Sequence, residues 1–326
     1  MASNNHQLSA ELNVDRLEAT IAAAVSEWTE AQRDAHVHGR AMPPAPAVVR
    51  SQQTRRQLAQ WAEHSLRARQ LQLLCERANA AAQNGPHDVD TALRLDGATR
   101  ALYDWARQYD GAPVVATPGP DRALRALIGR RLRSRSAAGE GRTRLAAAGI
   151  DLAAVRFFEP HAGANRRPHT YLISPPDRVA VVAHAAPTLA SWRQVWHELG
   201  HAAFARSHDP QLSWSLRDAP SPVVHEAFAE LFASRIDDAD VIAALLQVDD
   251  DAAASISGWR VYRRQLWRDQ LLAPQAPAAN ARYVIADALA RALRVRTGPS
   301  TEAMATTIRA AAWQGAGYEW HELAGQ

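Results

Sequence analysis

Residues 196–201 read Trp-His-Glu-Leu-Gly-His, so His197 and His201 stand four apart with Glu198 beside the first. The surrounding apolar spacing is helical, and four residues make about one helical turn. Both imidazoles then leave one helix face and reach a single metal ion. Glu198 projects toward the same region, where its carboxylate can take a proton from a polarised water. Zinc lowers the pKa of a bound water from about 15.7 toward roughly 7, which makes hydroxide available at neutral pH.

A catalytic zinc takes three protein ligands and keeps one position open. His208 is the first place to look for the third. A third-histidine pattern asks for glycine three residues after the second histidine and a histidine three residues beyond, and Phe204 and Ser207 stand at those positions. Glu226 is the better candidate, 25 residues after His201 in Val-His-Glu-Ala-Phe-Ala-Glu-Leu-Phe-Ala, residues 224–233. Its alanine and phenylalanine neighbours predict an apolar helix packed on the first. An unpaired carboxylate on such a face is costly to bury, and coordination removes that cost. Glu230 lies one turn on, on the same face, where it can accept a hydrogen bond from a ligand imidazole. His225 projects about 100° away around the helix and is not a ligand. Two histidines and a glutamate suit one zinc ion best among the divalent metals.

These residues resemble the glutamate-type zincin peptidases, most of all the clan containing thimet oligopeptidase, oligoendopeptidase F and angiotensin-converting enzyme. The segment Trp192–His201 carries the aromatic-flanked HELGH. His225–Glu230 looks like that clan's HEAxxD segment, with Glu230 in place of the usual aspartate. Arg282–Leu289 is similar to the helix that carries a transition-state tyrosine. The resemblance implies a zincin-like catalytic core, His197, His201 and Glu226 as zinc ligands, Glu198 as general base and Tyr283 as donor to the oxyanion. It spans about residues 166–289. Residues 273–277 read Ala-Pro-Gln-Ala-Pro and lack the substrate-binding histidine that clan places before its tyrosine.

The elements that position these groups are mostly helical. Helices are expected over residues 13–36, 49–82, 88–109 and 121–136, with an extended proline-rich linker at 42–46. Residues 167–174 and 178–184, joined by Pro175-Pro176-Asp177, read as a β-hairpin. The second strand is the expected edge that pairs with an extended substrate, with His184 at its end as a substrate-binding residue. From Thr188 the pattern is helical again, and Gly315–Tyr318 reads as a turn before a last short helix. The expected fold is mainly α with a small antiparallel sheet. An N-terminal helical region, 1–150, precedes a zincin-like catalytic region, 151–326.

Composition bounds the function. The chain has 326 residues, 47% hydrophobic and 22% charged, enough for a sizeable core and too apolar for bulk disorder. All 37 basic residues are arginine, a coding bias rather than a functional sign, and the net charge is only +3. The basic run Arg130–Arg135 reads as a solvated helix face, so no nucleic-acid partner is expected. Trp61, Trp105, Trp259 and Trp267 have the spacing of core residues. Cys75 is the single cysteine, residues 1–10 lack an apolar signal core, and no apolar run approaches a membrane span. A cytoplasmic zinc peptidase acting on short or unfolded peptides, with no membrane partner, is the leading expectation. A regulatory protease resembling the ImmA/IrrE group, with one protein substrate, is the first alternative. A non-catalytic zinc-site binding protein is the second.

Overall fold

The computed structural model describes residues 2–62, 65–84, 97–109, 115–162, 164–218, 222–273 and 281–314. Fourteen α-helices and a three-stranded sheet cover them, so the mainly helical expectation holds. The helix α1 (Ala2–His38) leads into the extended residues 41–46. The single helix expected over 49–82 is instead three: α2 (Ala47–Arg50), α3 (Gln52–Trp61) and α4 (Leu66–Asn84). Ser51 causes the first break. Its backbone is extended, at φ −62° and ψ 124°, and its side chain accepts from the Thr54 N–H to start α3.

Helix α5 (Gly97–Gln108) covers the later part of the expected 88–109 helix, whose beginning lies outside the described residues. Helix α6 (Arg122–Arg133) starts where Asp121 accepts from the Leu124 N–H. It ends before Ser136, because Ser136 caps a further helix, α7 (Ala137–Ala147), by accepting from Gly139.

The sheet corrects the sequence reading. The hairpin forms as β2 (His169–Ser174) and β3 (Arg178–Val182), but a three-residue strand, β1 (Arg156–Phe158), pairs with β3 in parallel. The strand order is β1-β3-β2, so the sheet is mixed rather than antiparallel. Strand β3 is therefore central, with its backbone occupied on both sides, and is not the edge that was expected to take a substrate. Even beyond the strand, the Ala183 N–H donates to Phe158. The edges are β1 and β2.

The remaining helices are α8 (Leu189–Arg206), α9 (Trp214–Asp218), α10 (Pro222–Ser234), α11 (Ala239–Leu246), α12 (Asp250–Leu272), α13 (Ala281–Thr297) and α14 (Thr301–Gln314). The turn and last helix expected after residue 314 lie outside the described residues.

The main core gathers buried residues of α5–α8, α10–α14 and β3. Helices α5 to α7 thus pack with the region after residue 150. A second core joins Val14, Ile21 and Val25 of α1 to Val49, Leu58, Leu71 and Cys75, with Trp214 closing it. A small cluster of Tyr171, Ile173, Ala180 and Val182 seats the sheet against α1. Trp192 and Trp196 are the fully buried tryptophans, whereas Trp61, Trp105, Trp259 and Trp267 are half-buried. Among the described residues no helix is long and apolar enough to cross a membrane.

Candidate metal centre

Helix α8 is buried on most of its surface, with Trp192, Val195, Trp196, Leu199, Ala202, Ala203 and Phe204 all inside. A helix buried this widely belongs in the middle of a core, and its remaining face carries Arg193, His197, Glu198 and His201. Thr188 caps it by accepting from the Ser191 N–H. Helix α10 runs against it in the opposite direction, because Trp196 stacks on Phe232 at 5.2 Å and Phe204 stacks on Phe228 at 4.9 Å. Between the two stacks the backbones nearly touch. A Cβ on Gly200 would lie 2.6 Å from the Ala229 Cα and 3.0 Å from the Ala229 carbonyl oxygen. Only glycine permits that approach, and the approach brings the ligand faces together.

His197, His201 and Glu226 form a potential metal-holding cluster, with one ligand atom from each lying within 4.8 Å of the others. The Glu226 Oε2 is 3.1 Å from His197 Nε2 and 3.8 Å from His201 Nε2. Ligands of a tetrahedral zinc stand about 3.3 Å apart, given bonds near 2.0–2.1 Å. The two separations from Glu226 lie near that value, and two histidines with a carboxylate are a donor set that suits zinc. The two imidazole planes are perpendicular, with centroids 4.8 Å apart.

Glu230 stands behind the first ligand. Its Oε2 is 3.5 Å from His197 Nδ1, so the nitrogen facing away from Glu226 meets a second carboxylate. Glu230 in turn is gripped by Arg193 and Arg264. The grip extends into a network. Arg193 and Arg260 share Asp237, at 3.1 and 2.7 Å. Arg264, Arg268 and Arg291 share Asp287, at 3.1, 4.0 and 3.2 Å. Arg235 and Arg294 share Asp238. Sequence reading found Glu230 but none of these arginines, because no spacing rule links α8, α12 and α13.

Electrostatics follow from burial and pairing. Burial works against a charged His197, but the hydrogen bonds it donates to Glu226 and Glu230 outweigh it and raise its pKa to about 10. Burial also opposes the Glu226 carboxylate, yet His197, His201 and Arg282 pull it down to about 2. His201 is lowered, first by burial and then by the charge of His197. His197 thus stands between two carboxylates, Glu226 at Nε2 and Glu230 at Nδ1.

Glu198 is half-buried on the same turn as His197. Its backbone carbonyl accepts from Thr170 of β2 at 2.8 Å. The edge strand tied to the motif is therefore β2. Beside it, Tyr171 donates to or accepts from His36 at 2.8 Å, and His36 meets the Asn165 carbonyl at 2.7 Å. Burial raises the Tyr171 pKa above the usual range, and the Glu198 charge adds to it.

Tyr283, half-buried on α13, shares one guanidinium nitrogen with the centre. Arg282 Nη2 donates to the Tyr283 hydroxyl and lies 3.9 Å from Glu226 Oε1. His184 sits two residues beyond β3, where its Nε2 receives Arg166 at 3.4 Å. No contact among the described residues links His184 to the three ligands. His225 packs edge-on against Phe204 at 4.7 Å and is not in the ligand cluster, as its position on the helix predicted. His208 is likewise outside it, buried, with Nδ1 donating to Ala205 at 3.0 Å.

No protein-family model matches this chain, and no curated protein matches it.

Proposed function

We propose that the protein is a zinc-dependent peptidase with a zincin-like core, hydrolysing peptide bonds of short or unfolded peptides. One observation carries this reading: two helices distant in sequence converge so that His197, His201 and Glu226 present ligand atoms within 4.8 Å, with Glu198 on the same turn. A zinc ion held by these three side chains would supply Lewis acidity to a water and to the scissile carbonyl.

The protein's own groups do the rest. Glu198 takes a proton from the attacking water on its carboxylate and delivers it to the departing amine. Glu230 holds His197 in one orientation through Nδ1, and Arg193 and Arg264 hold Glu230. Tyr283 is the candidate donor to the developing oxyanion, because accepting from the Arg282 cation polarises its O–H. Strand β2, an edge of the sheet tied to Glu198, offers backbone for an extended peptide in place of the central β3. The single cysteine suits a reducing compartment, which makes the cytoplasm part of this proposal.

The test is digestion of a diverse peptide mixture, read by mass spectrometry, with zinc-loaded wild type beside Glu198→Gln. Cleavage by the wild type and at least a hundredfold less by the variant, at equal zinc content, supports the mechanism. Equal cleavage by both removes Glu198 as base. No cleavage by zinc-loaded wild type moves the weight to a protease with one protein substrate or to a binding protein.

A further inference from the structure

One helical turn from the ligands, at Arg193 on α8 and Glu230 on α10, a cavity of about 890 Å³ opens. The three ligands do not line it. Its floor includes Arg193, Glu230, Arg264, Asp287 and Arg294, and its wall includes Val115, Val261 and Val295. Those valines are exposed at 79%, 43% and 77% respectively, an unusual outlay of apolar surface beside a charged floor.

We propose that this cavity binds a small anionic molecule with an apolar body. Its acidic group would meet the guanidiniums of Arg264 and Arg294, and its body would cover the three valines. The volume lies within the range of small-molecule sites. The sign of the ligand follows from how the floor is paired. Each of the carboxylates Glu230, Asp237, Asp238 and Asp287 is claimed by two or more guanidiniums. Guanidiniums that share an anion stay close to one another and keep part of their positive potential. Burial lowers the Arg264 pKa, and Arg193 adds to the depression. Burial and the neighbouring Arg235 push Arg294 down to about 10. An incoming carboxylate or phosphate relieves that crowding with charge-assisted hydrogen bonds. Five arginines and five carboxylates line the cavity, so its positive excess comes from Arg235 and Arg260, which pair with Asp238 and Asp237 from outside the lining; Asp240, the exposed carboxylate, opposes an anion, but water screens it. The valines decide against a wholly polar ligand, which would leave them wet.

This site stands without the metal reading, since none of its residues is a ligand. The experiment is calorimetric titration of the full-length chain, with and without zinc, using octanoate, inorganic phosphate and 1-octanol as probes. Octanoate is expected to bind once per chain and more tightly than either phosphate or octanol. Val295→Asp and Val295→Arg then test the charge, because that side chain is exposed and its replacement leaves the core intact. Both replacements lose the valine's apolar cover alike, so the aspartate variant should bind octanoate at least about fivefold more weakly than the arginine variant. Thermal unfolding checks that both variants fold. Octanol binding as tightly as octanoate, phosphate binding as tightly as octanoate, no octanoate binding, or indifference to both substitutions would each overturn the proposal.

Discussion

Replacing Gly200 by alanine separates the two explanations for a glycine inside a helix. On helix propensity alone the change stabilises by about 1 kcal/mol. The packing of α8 on α10 demands the opposite. The new Cβ would lie 2.6 Å from the Ala229 Cα and 3.1 Å from the Phe228 carbonyl oxygen, all main-chain atoms with no rotamer to turn aside. Ordinary carbon contacts begin near 3.5 Å, so the helices must part by about 0.9 Å. Overpacking of this kind costs about 1–3 kcal/mol, which leaves a net loss of up to about 2 kcal/mol. The candidate metal centre is expected to suffer more. His201 follows Gly200 and Glu226 is three residues before Ala229, so the parting adds directly to their 3.8 Å separation. Metal–ligand bonds tolerate about ±0.2 Å. Zinc affinity, measured by competition with a chromophoric chelator, should fall at least tenfold, while thermal unfolding of the metal-free protein drops by a few degrees. Ala229→Gly should not rescue it, because the clash is with backbone. Wild-type zinc affinity in Gly200→Ala would falsify the claim that this contact sets the spacing of the ligands.

Three further outcomes are expected. Glu230→Gln removes the anion that Arg193 and Arg264 share and the charge behind His197. Zinc affinity should fall about tenfold to a hundredfold, and urea unfolding should show a loss of about 3–5 kcal/mol; an unchanged affinity would mean that Glu230 serves only the arginines. His208 gives the protein an acid limb. Burial lowers its pKa from 6.5 to about 4, with Arg217 adding a like charge. A depressed folded pKa means full stability above pH 6.5 and loss as pH falls toward 4, roughly 3 kcal/mol in all. His208→Leu should flatten that limb in urea midpoints measured across the window, and a limb parallel to wild type would move the cause elsewhere. Tyr283→Phe should lower kcat about a hundredfold with little change in KM, whereas a purely structural tyrosine would change unfolding and spare kcat.

What the sequence disclosed follows from how local each signal is. The pairing of His197 with His201 and the place of Glu198 beside them were legible because helical spacing alone aligns them, and Glu226 was legible as a carboxylate on an apolar helix. The hairpin was legible from β-branched runs around Pro175-Pro176-Asp177. Strand β1 was not, because three residues, Arg156–Phe158, carry no alternation, and without them β3 reads as an edge. The break at Ser51 was hidden in an otherwise helical run, since one capping hydroxyl decides it. The arginine network joins residues as distant as Arg193 and Arg264 through a common carboxylate, and only the packing of three helices reveals it. The space between α8 and α10 was set by Gly200, which in sequence is only a permitted filler of the motif.

The two hydrophobic cores give the molecule separate levels of cooperativity. The candidate metal ligands His197, His201 and Glu226 all lie on α8 and α10, inside the main core, while α1 to α4 build the second core and meet the rest through Trp214 and the α1 contacts with the sheet. A ligand stabilises only those openings that destroy its site, by about 2.7 kcal/mol at a hundred times its Kd. Zinc should therefore slow amide hydrogen exchange along α8 and α10 and leave α3 and α4 exchanging at their metal-free rates. The N-terminal helices are then expected to open as a unit of their own, independently of the candidate metal centre.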